Sequence, residues 1–415
     1  MCQLQNPTIL LFFKAASLLF PLSRFETRIF LPTFASPPSP SLRGRVGERP
    51  MKIHIFNPEH DLALASNLDN FTAPHAGRDL RHDLGFLPAI WAGRGERVLV
   101  DNREAAEYAY SKLGLPMRGV FITRHEFWNL GQSPLMTVEP WGWDRAIRKE
   151  LLRYRGRADR LPDDTYLNIV RQSSHRSWAA EHLLRRLRQL PGTVGEAETA
   201  HSLAEIRRFL SVRHRIVLKA PWSSSGRGVR YISDDPDSTS TLTPQLEGWV
   251  EHTLRRQGAI LMEPYYNKVM DFGMEWESDG QGDIRYCGLS LFNTVKGAYT
   301  GNILADEEEK EQRVTQFISP VLLSDVRQRI KELLTVSLVK FYHGPFGIDM
   351  MIVSQDGKLF LHPCVELNLR MTMGHVALRL REVATKPWNT MRVNYKNGKY
   401  CLEVGTNIGK DTSIE

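Results

Sequence analysis

The segment from Gly347 to Arg370 gathers ionisable side chains in a pattern that a core sheet has no structural need for. It reads GIDMMIV, SQDG, then KLFLHPCVELNLR: two apolar, β-prone runs about an Asp356-Gly357 turn, which predicts a hairpin. A two-residue turn pairs Gln355 with Lys358, and carrying that register along sets Asp349 opposite Cys364. Side chains alternate faces along a strand, so Asp349, Cys364, Glu366, Asn368 and Arg370 share one face. Two carboxylates, an amide oxygen and a guanidinium on one side of an apolar hairpin suit a divalent cation and a phosphate. Mg²⁺ takes hard oxygen ligands and stays close to substrate phosphates. The alternative for any one of these residues is a solvated polar face on an edge hairpin.

A second chemical stretch begins at Arg215-Ile216-Val217-Leu218-Lys219-Ala220, a strand ending in a lysine. It runs into Pro221-Trp222-Ser223-Ser224-Ser225-Gly226-Arg227-Gly228 and then a further strand, Val229–Ile232. Such a loop offers backbone N–H groups and hydroxyls to phosphate oxygens with little side-chain bulk. Lys219 adds a point charge beside it. The pattern is neither GxxxxGKS nor a strand-to-helix GxGxxG, and alone it reads as a turn between strands. Downstream lie a strand over Ala259–Tyr266 that stops at Pro264, an isolated Asp271, and a polar loop, Asn293–Asn302, that carries Lys296.

The elements that would position these groups follow from the apolar pattern. Residues 51–140 alternate strands (Lys52–Phe56, Arg97–Val100, Val120–Ile122) with a helix near Leu62–Asn67, an α/β layout with a parallel sheet. The loop after the first strand, Asn57-Pro58-Glu59-His60-Asp61, stands where ligands meet such sheets, although Asn57 or Asp61 could equally cap the next helix. Residues 141–210 read as helical, with Ser202 and Glu205 set for an N-cap. Helices are expected over 306–343 and 371–385, and a last hairpin turns at Asn397-Gly398.

Composition sets outer bounds. The 415 residues can bury a large core divided among two or three domains. The four cysteines form no CxxC pair, which argues against a disulfide framework or a zinc site and predicts a cytoplasmic protein. Residues 1–50 carry six basic and two acidic residues, so +4 of the formal +7 lies there and only +3 elsewhere. That is too little to argue for a nucleic-acid partner. The apolar run Ile9–Leu22 is short for a membrane span and is broken by Lys14, so no membrane partner is expected. Residues 1–50 are read as an extension outside the fold, with Met51 as the start and a signal peptide as the alternative.

Taken in order, residues from about 170 to 380 resemble the ATP-grasp superfamily, in the carbamoyl phosphate synthetase and biotin carboxylase branch. IVLKAPWSSSGRGV resembles its lysine strand and phosphate loop, ILMEPYY its adenine hinge, GIDMMIV its first metal strand, and VELNLR its E-x-N-x-R strand. The resemblance implies two α+β subdomains clasping ATP, preceded by the α/β domain with its parallel sheet. The domains expected are an extension over 1–50, the α/β domain over 51–140 and a helical connection over 141–210. The subdomain with phosphate loop and hinge covers 211–277, the subdomain with the metal site 278–385, and a hairpin with a tail 386–415.

It implies ATP binding by Lys219, Ser223, Ser224, Ser225, Gly226, Arg227, Gly228, Glu263, Tyr265 and Asp271. Arg176 stands where the family often has a second phosphate lysine, and metal binding falls to Asp349, Glu366 and Asn368. Arg370 and Lys296 are implied as the catalytic cations, because Gly347 occupies a position where some members carry an arginine. His60, His75, Arg78 and Asn302 are the candidate substrate contacts. The activity implied is an ATP-dependent ligase using Mg²⁺, with Mn²⁺ as the alternative, that joins a small carboxylate to an amine or similar nucleophile through an acyl phosphate. A homo-oligomer is compatible with it. A phosphotransferase and a non-catalytic nucleotide-binding module are the competing functions.

Overall fold

A computed structural model describes residues 51–406 apart from 131–135, 155, 224–225, 236–241, 296–297 and 339. The expectations for residues 1–50, Ser224, Ser225 and Lys296 lie outside the described residues. The architecture matches the expected class: a parallel α/β sheet followed by two α+β units.

The first sheet has β1 (Met51–Ile55), β2 (Arg97–Leu99), β3 (Val120–Ile122) and β4 (Met136–Pro140) in the order β3-β2-β1-β4, all parallel. β4 was not anticipated: its run, Met136-Thr137-Val138-Glu139-Pro140, is short and ends in a proline. The second sheet has β5 (Glu198–Ala200), β6 (Arg215–Lys219), β7 (Val229–Ser233) and β8 (Ile260–Pro264) in the order β5-β8-β6-β7, paired antiparallel. The helices Leu203–Arg213 and Pro244–Gln257 supply its core through Ile206, Leu210 and Val250. Ser202 caps the first of these, accepting from Glu205 N at 3.3 Å. Glu205 reaches back to His201 N at 2.8 Å, one residue beyond the usual capping-box partner.

The third sheet contains β9 (Asn267–Asp279), β10 (Ile284–Val295), β11 (Ala298–Ile303), β12 (His343–Gln355), β13 (Lys358–Asn368), β14 (Thr390–Lys396) and β15 (Lys399–Gly405). Their order is β13-β12-β9-β10-β11-β14-β15. The helices Glu307–Thr315 and Pro320–Ser337 bury Val314, Val326, Ile330 and Leu334 with Phe272, Met274, Trp276 and Ile348 of the sheet. The last hairpin turns at Asn397 and Gly398, both with positive φ (53° and 77°), and packs back onto the N-terminal unit. Tyr400 N donates to Asp83 at 2.8 Å, and Met391 shares a core with Leu84, Phe86 and Leu87.

The hairpin β12–β13 turns at Asp356 and Gly357, both with positive φ (52° and 73°), and Gln355 faces Lys358 as the two-residue turn requires. The register then departs from the expected one. Met351 faces His362, but Asp349 faces Glu366 rather than Cys364. Pro363, Cys364 and Val365 together stand opposite Met350. Proline has no N–H to give to a ladder, and a bulge is where a strand accommodates it. The shift is by two residues, so the facing set survives and the two carboxylates are brought directly opposite each other.

Beneath the hairpin, β9 carries Glu275, 2% exposed. Its carboxylate accepts from Thr372 Oγ1 at 2.8 Å and lies 3.0 Å from His375 Nδ1. Thr372 caps the helix Met373–Val383 in a capping box with His375. Glycines make room for this carboxylate: a Cβ on Gly374 would sit 1.9 Å from Glu275 Oε1, and one on Gly347 2.6 Å from Oε2. Gly374→Ala is therefore expected to cost about 1–3 kcal/mol in chemical denaturation. Gly248→Ala, in an exposed helix interior with nothing within 4 Å of the added Cβ, should gain roughly 0.5–1 kcal/mol. Equal effects at the two positions would contradict the packing described.

Candidate functional site

The hairpin face is built as a chain of polar contacts. Asn368 Nδ2 donates to Asp349 Oδ2 at 3.2 Å. Asn368 Oδ1 accepts from Arg370 Nη2 at 2.9 Å. Glu366 Oε1 accepts from Arg176 Nη2 at 2.7 Å. Among the described residues no cation is in direct contact with Asp349, and its carboxyl is pushed well above the usual range by burial, then by Glu366 and Glu275, against the pull of Arg370.

Arg176, 7% exposed, joins this face to the phosphate-loop candidate. Its helix, Arg176–Ala179, starts against the loop, with Arg176 N donating to Pro221 O at 3.3 Å. Its guanidinium donates to Ala220 O, to Ser223 Oγ at 2.7 Å and to Ser223 O at 3.3 Å while holding Glu366. One side chain thus spans the end of β6 and the end of β13. Gly228 backs the loop: a Cβ there would meet Ser223 Oγ at 2.2 Å. Gly226 takes φ +71°, a turn position that favours glycine, and Arg227 is exposed.

Lys219 and Glu263 form the third charged group. They lie diagonally across β6 and β8, and Lys219 Nζ donates to Glu263 Oε1 at 2.6 Å and Oε2 at 2.7 Å. Both are buried. Cys364 stands between the groups: burial raises its thiol first, and Glu263, Lys219, Asp349 and Glu366 all act on it. Asp271 on β9 faces Met351 and accepts from Thr294 Oγ1 at 2.6 Å and from Lys268. Tyr265 follows the hinge strand, its ring 4.1 Å from the Arg215 guanidinium.

The candidate substrate residues are not gathered there by any contact. His75 is exposed and pairs with Asp79 at 2.6 Å. Arg78 donates to Ala73 O at 2.6 Å. Asn302 is buried between Tyr299 and Leu291 O. His60 is 1% exposed, 3.0 Å from Asp144 Oδ2.

Asp61 is what the motif reading did not reach. Glu59 occupies the N-cap position of the helix His60–Ser66, and no side chain caps it, so the capping alternative for Asn57 or Asp61 is not realised. Asp61 instead clasps Arg370: Nε donates to Oδ1 at 3.1 Å and Nη2 to Oδ2 at 2.8 Å. Burial works to raise the Asp61 carboxyl, and the guanidinium outweighs it and leaves it below the usual range. The signal available in the sequence was its place at the carboxyl end of the first strand.

The side-chain types suit a divalent cation: Asp349 and Glu366 face each other with the Asn368 amide one step along, and one guanidinium, Arg176, meets the two carboxylates directly; the Asn368 oxygen, now on Arg370, would have to turn toward them. Among the described residues no group of three or more His, Cys, Asp and Glu is placed to hold a metal. A site here would therefore draw on the amide and on ligand oxygens.

The stability consequence has a definite sign. Because the folded Asp349 carboxyl titrates above its unfolded value, it favours folding while protonated. That contribution is lost as pH rises from about 4, the unperturbed value, through the raised folded pKa. Asp349→Asn should therefore be more stable than the parent in EDTA at pH 8, by about 1 kcal/mol or more. The gap should close toward pH 4 in denaturation curves. A gap that does not vary with pH would show that Asp349 is not strained.

No protein-family model matches the sequence, and no curated protein matches it. Among solved structures, the fold is similar to N5-carboxyaminoimidazole synthetase from Staphylococcus aureus, complexed with ADP, at 11% identity, 84% of this chain, 83% of that one and a TM-score of 0.46. It is similar to the biotin carboxylase domain of 2-oxoglutarate carboxylase from Hydrogenobacter thermophilus at 12% identity, 82% of this chain, 70% of that one and a TM-score of 0.49. It is also similar to an ATP-grasp superfamily protein from Archaeoglobus fulgidus at 12% identity, 85% of this chain, 98% of that one and a TM-score of 0.42. Each is a likeness of fold.

Proposed function

We propose that the chain is an ATP- and Mg²⁺-dependent ligase of the ATP-grasp type, joining a carboxylate to an amine or similar nucleophile through an acyl phosphate. The observation that carries this reading is the bonded chain from Ser223 through Arg176 to Glu366, with Asp349 facing Glu366 across the hairpin. It sets a loop rich in hydroxyls and glycine beside a carboxylate pair short of a cation.

Each group then has a separable task. Lys219, Arg176 and the loop hold the β- and γ-phosphates as point charges and N–H donors. Asp349, Glu366 and Asn368 would hold Mg²⁺, which neutralises charge that develops on the transferring phosphoryl group. Glu263 and Tyr265 lie on the hinge beside the base. Arg370 stabilises the acyl phosphate, and Lys296 is a second candidate cation. Among the described residues three of these cations are paired with carboxylates: Arg176 with Glu366, Lys219 with Glu263, Arg370 with Asp61. Nucleotide binding on this reading is an exchange of ion pairs.

The acceptor would lie at the carboxyl end of the parallel sheet, where the strand order reverses between β1 and β4. A cavity of about 300 Å³ opens there, lined by Asn57, Glu59, Arg81, Arg124, Asp144 and Glu150 among others. Both signs of charge line it, which suits a small polar molecule with a carboxylate.

Two measurements test the reading. Protein incubated with ATP, Mg²⁺ and pooled carboxylates and amines should release ADP and phosphate together, dependent on substrate. ADP without phosphate would mean a phosphotransferase, and neither product would mean a binding module. Separately, Glu366→Gln should abolish Mg²⁺-dependent turnover yet bind ADP in EDTA about threefold tighter or more, because Arg176 is released to meet phosphate. Unchanged affinity in EDTA would count against the exchange of partners.

A further inference from the structure

Arg370 has five N–H donors, and nearly all are committed. Nε and Nη2 serve Asp61, Nη2 also serves Asn368 Oδ1 at 2.9 Å, and Nη1 serves Met371 O at 3.1 Å. Asn368 passes the chain on to Asp349 at 3.2 Å. An unbroken run of hydrogen bonds therefore joins the first helix of the N-terminal sheet, His60–Ser66, to the candidate metal carboxylate. The Asp61 and Arg370 side chains are 14% and 16% exposed, so neither charge is left to solvent. Met371 N donates to Trp141 O at 2.8 Å, so the backbone after Arg370 is pinned to the loop after β4 as well.

We propose that Asp61 is a positioning residue: it holds Arg370 away from Asp349 and Glu366, and so keeps Asp349, the carboxylate with no cation against it among the described residues, open to a divalent cation. This rests on the metal reading above. The physical reason is competition. Glu366 and Asp349 already act on the Arg370 guanidinium at range. A buried guanidinium deprived of Asp61 would take the nearest carboxylate, and those are the two that Mg²⁺ would need. With Asp61 in place the guanidinium is neutralised, its Nη2 is spent on Asp61 and on the Asn368 oxygen, and the pair keeps its charge deficit; the Asn368 amide, whose NH2 faces Asp349, would turn over to offer its oxygen to a cation. Asp61 stands in the first turn of the helix His60–Ser66, directly after the loop that supplies Asn57 and Glu59 to the cavity at the end of the parallel sheet. A movement of that segment would therefore be felt at the metal site.

The experiment is a calorimetric titration of ADP at a series of MgCl₂ concentrations and in EDTA. It compares the parent chain, Asp61→Asn, Asp61→Glu and the double variant Asp61→Asn/Arg370→Met, with thermal melts to confirm folding. Asp61→Asn should weaken the apparent Mg²⁺ affinity roughly tenfold, within what residues along a coupling network carry. It should leave ADP binding in EDTA unchanged or tighter. Asp61→Glu should restore most of the loss. The double variant should bind Mg²⁺ more tightly than Asp61→Asn, because the competing guanidinium is gone. An unpaired buried guanidinium that merely destabilised the fold would show in the melts, where Asp61→Asn would fall and the double variant recover with no matching change in Mg²⁺ affinity. A parent chain whose ADP binding ignores Mg²⁺ would overturn the metal reading and this proposal with it. Mg²⁺-dependent binding with Asp61→Asn unchanged, or a double variant no better than Asp61→Asn, would overturn the proposal alone.

Discussion

Carboxylates drawn inside a protein must find positive charge or give up their own, because the interior solvates ions poorly. In this chain Asp349 and Glu366 stand face to face on the hairpin, one cation near them comes from elsewhere, and the other, Arg370, is held from elsewhere. Arg176 arrives from a short helix 190 residues before Glu366, and Arg370 is held by Asp61 across 309 residues. Those two contacts tie the parallel sheet, the phosphate-loop candidate and the seven-stranded sheet to one small region. The hairpin supplies the negative charge, and the rest of the chain is arranged to meet it.

The support beneath follows the same logic. Glu275 is buried under the hairpin, and its carboxyl, despite burial, is held below the usual range by His375, Thr372 and Ser290. By binding the cap of the helix Met373–Val383, it settles where the chain turns after Arg370. Gly347 and Gly374 are the cost of that contact, since no side chain fits against the carboxylate. This also accounts for Gly347 where an arginine would have been chemically useful: the position faces a buried carboxylate at close approach.

Much of this organisation was legible from local pattern. Asp356-Gly357 and Asn397-Gly398 specify two-residue turns because both central residues must take positive φ. Period-two alternation put Asp349, Glu366, Asn368 and Arg370 on one face, and a bulge of two residues at Pro363 left that face intact while changing the partners. Ser202 and Glu205 announced their helix. The strands Glu198–Ala200 and Met136–Pro140 were not legible, because Glu198-Thr199-Ala200 carries no bulky apolar residue and Met136-Thr137-Val138-Glu139-Pro140 is half polar and ends in a proline.

What the sequence determined by itself, then, is the set of groups at hand: carboxylate and amide oxygens beside a guanidinium on one hairpin, and a lysine with a Gly- and Ser-rich loop on another. Those are matters of residue type and spacing along a strand, and they survive without neighbours. Tertiary structure alone decided the partners. Nothing near Asp61 in the chain points to Arg370, and nothing near Arg176 points to Glu366, since charge pairing over hundreds of residues depends on which surfaces the packed sheets bring within about 3 Å. It also set Asp349 opposite Glu366, because a proline cannot keep the ladder in step and the strand must bulge to pass it.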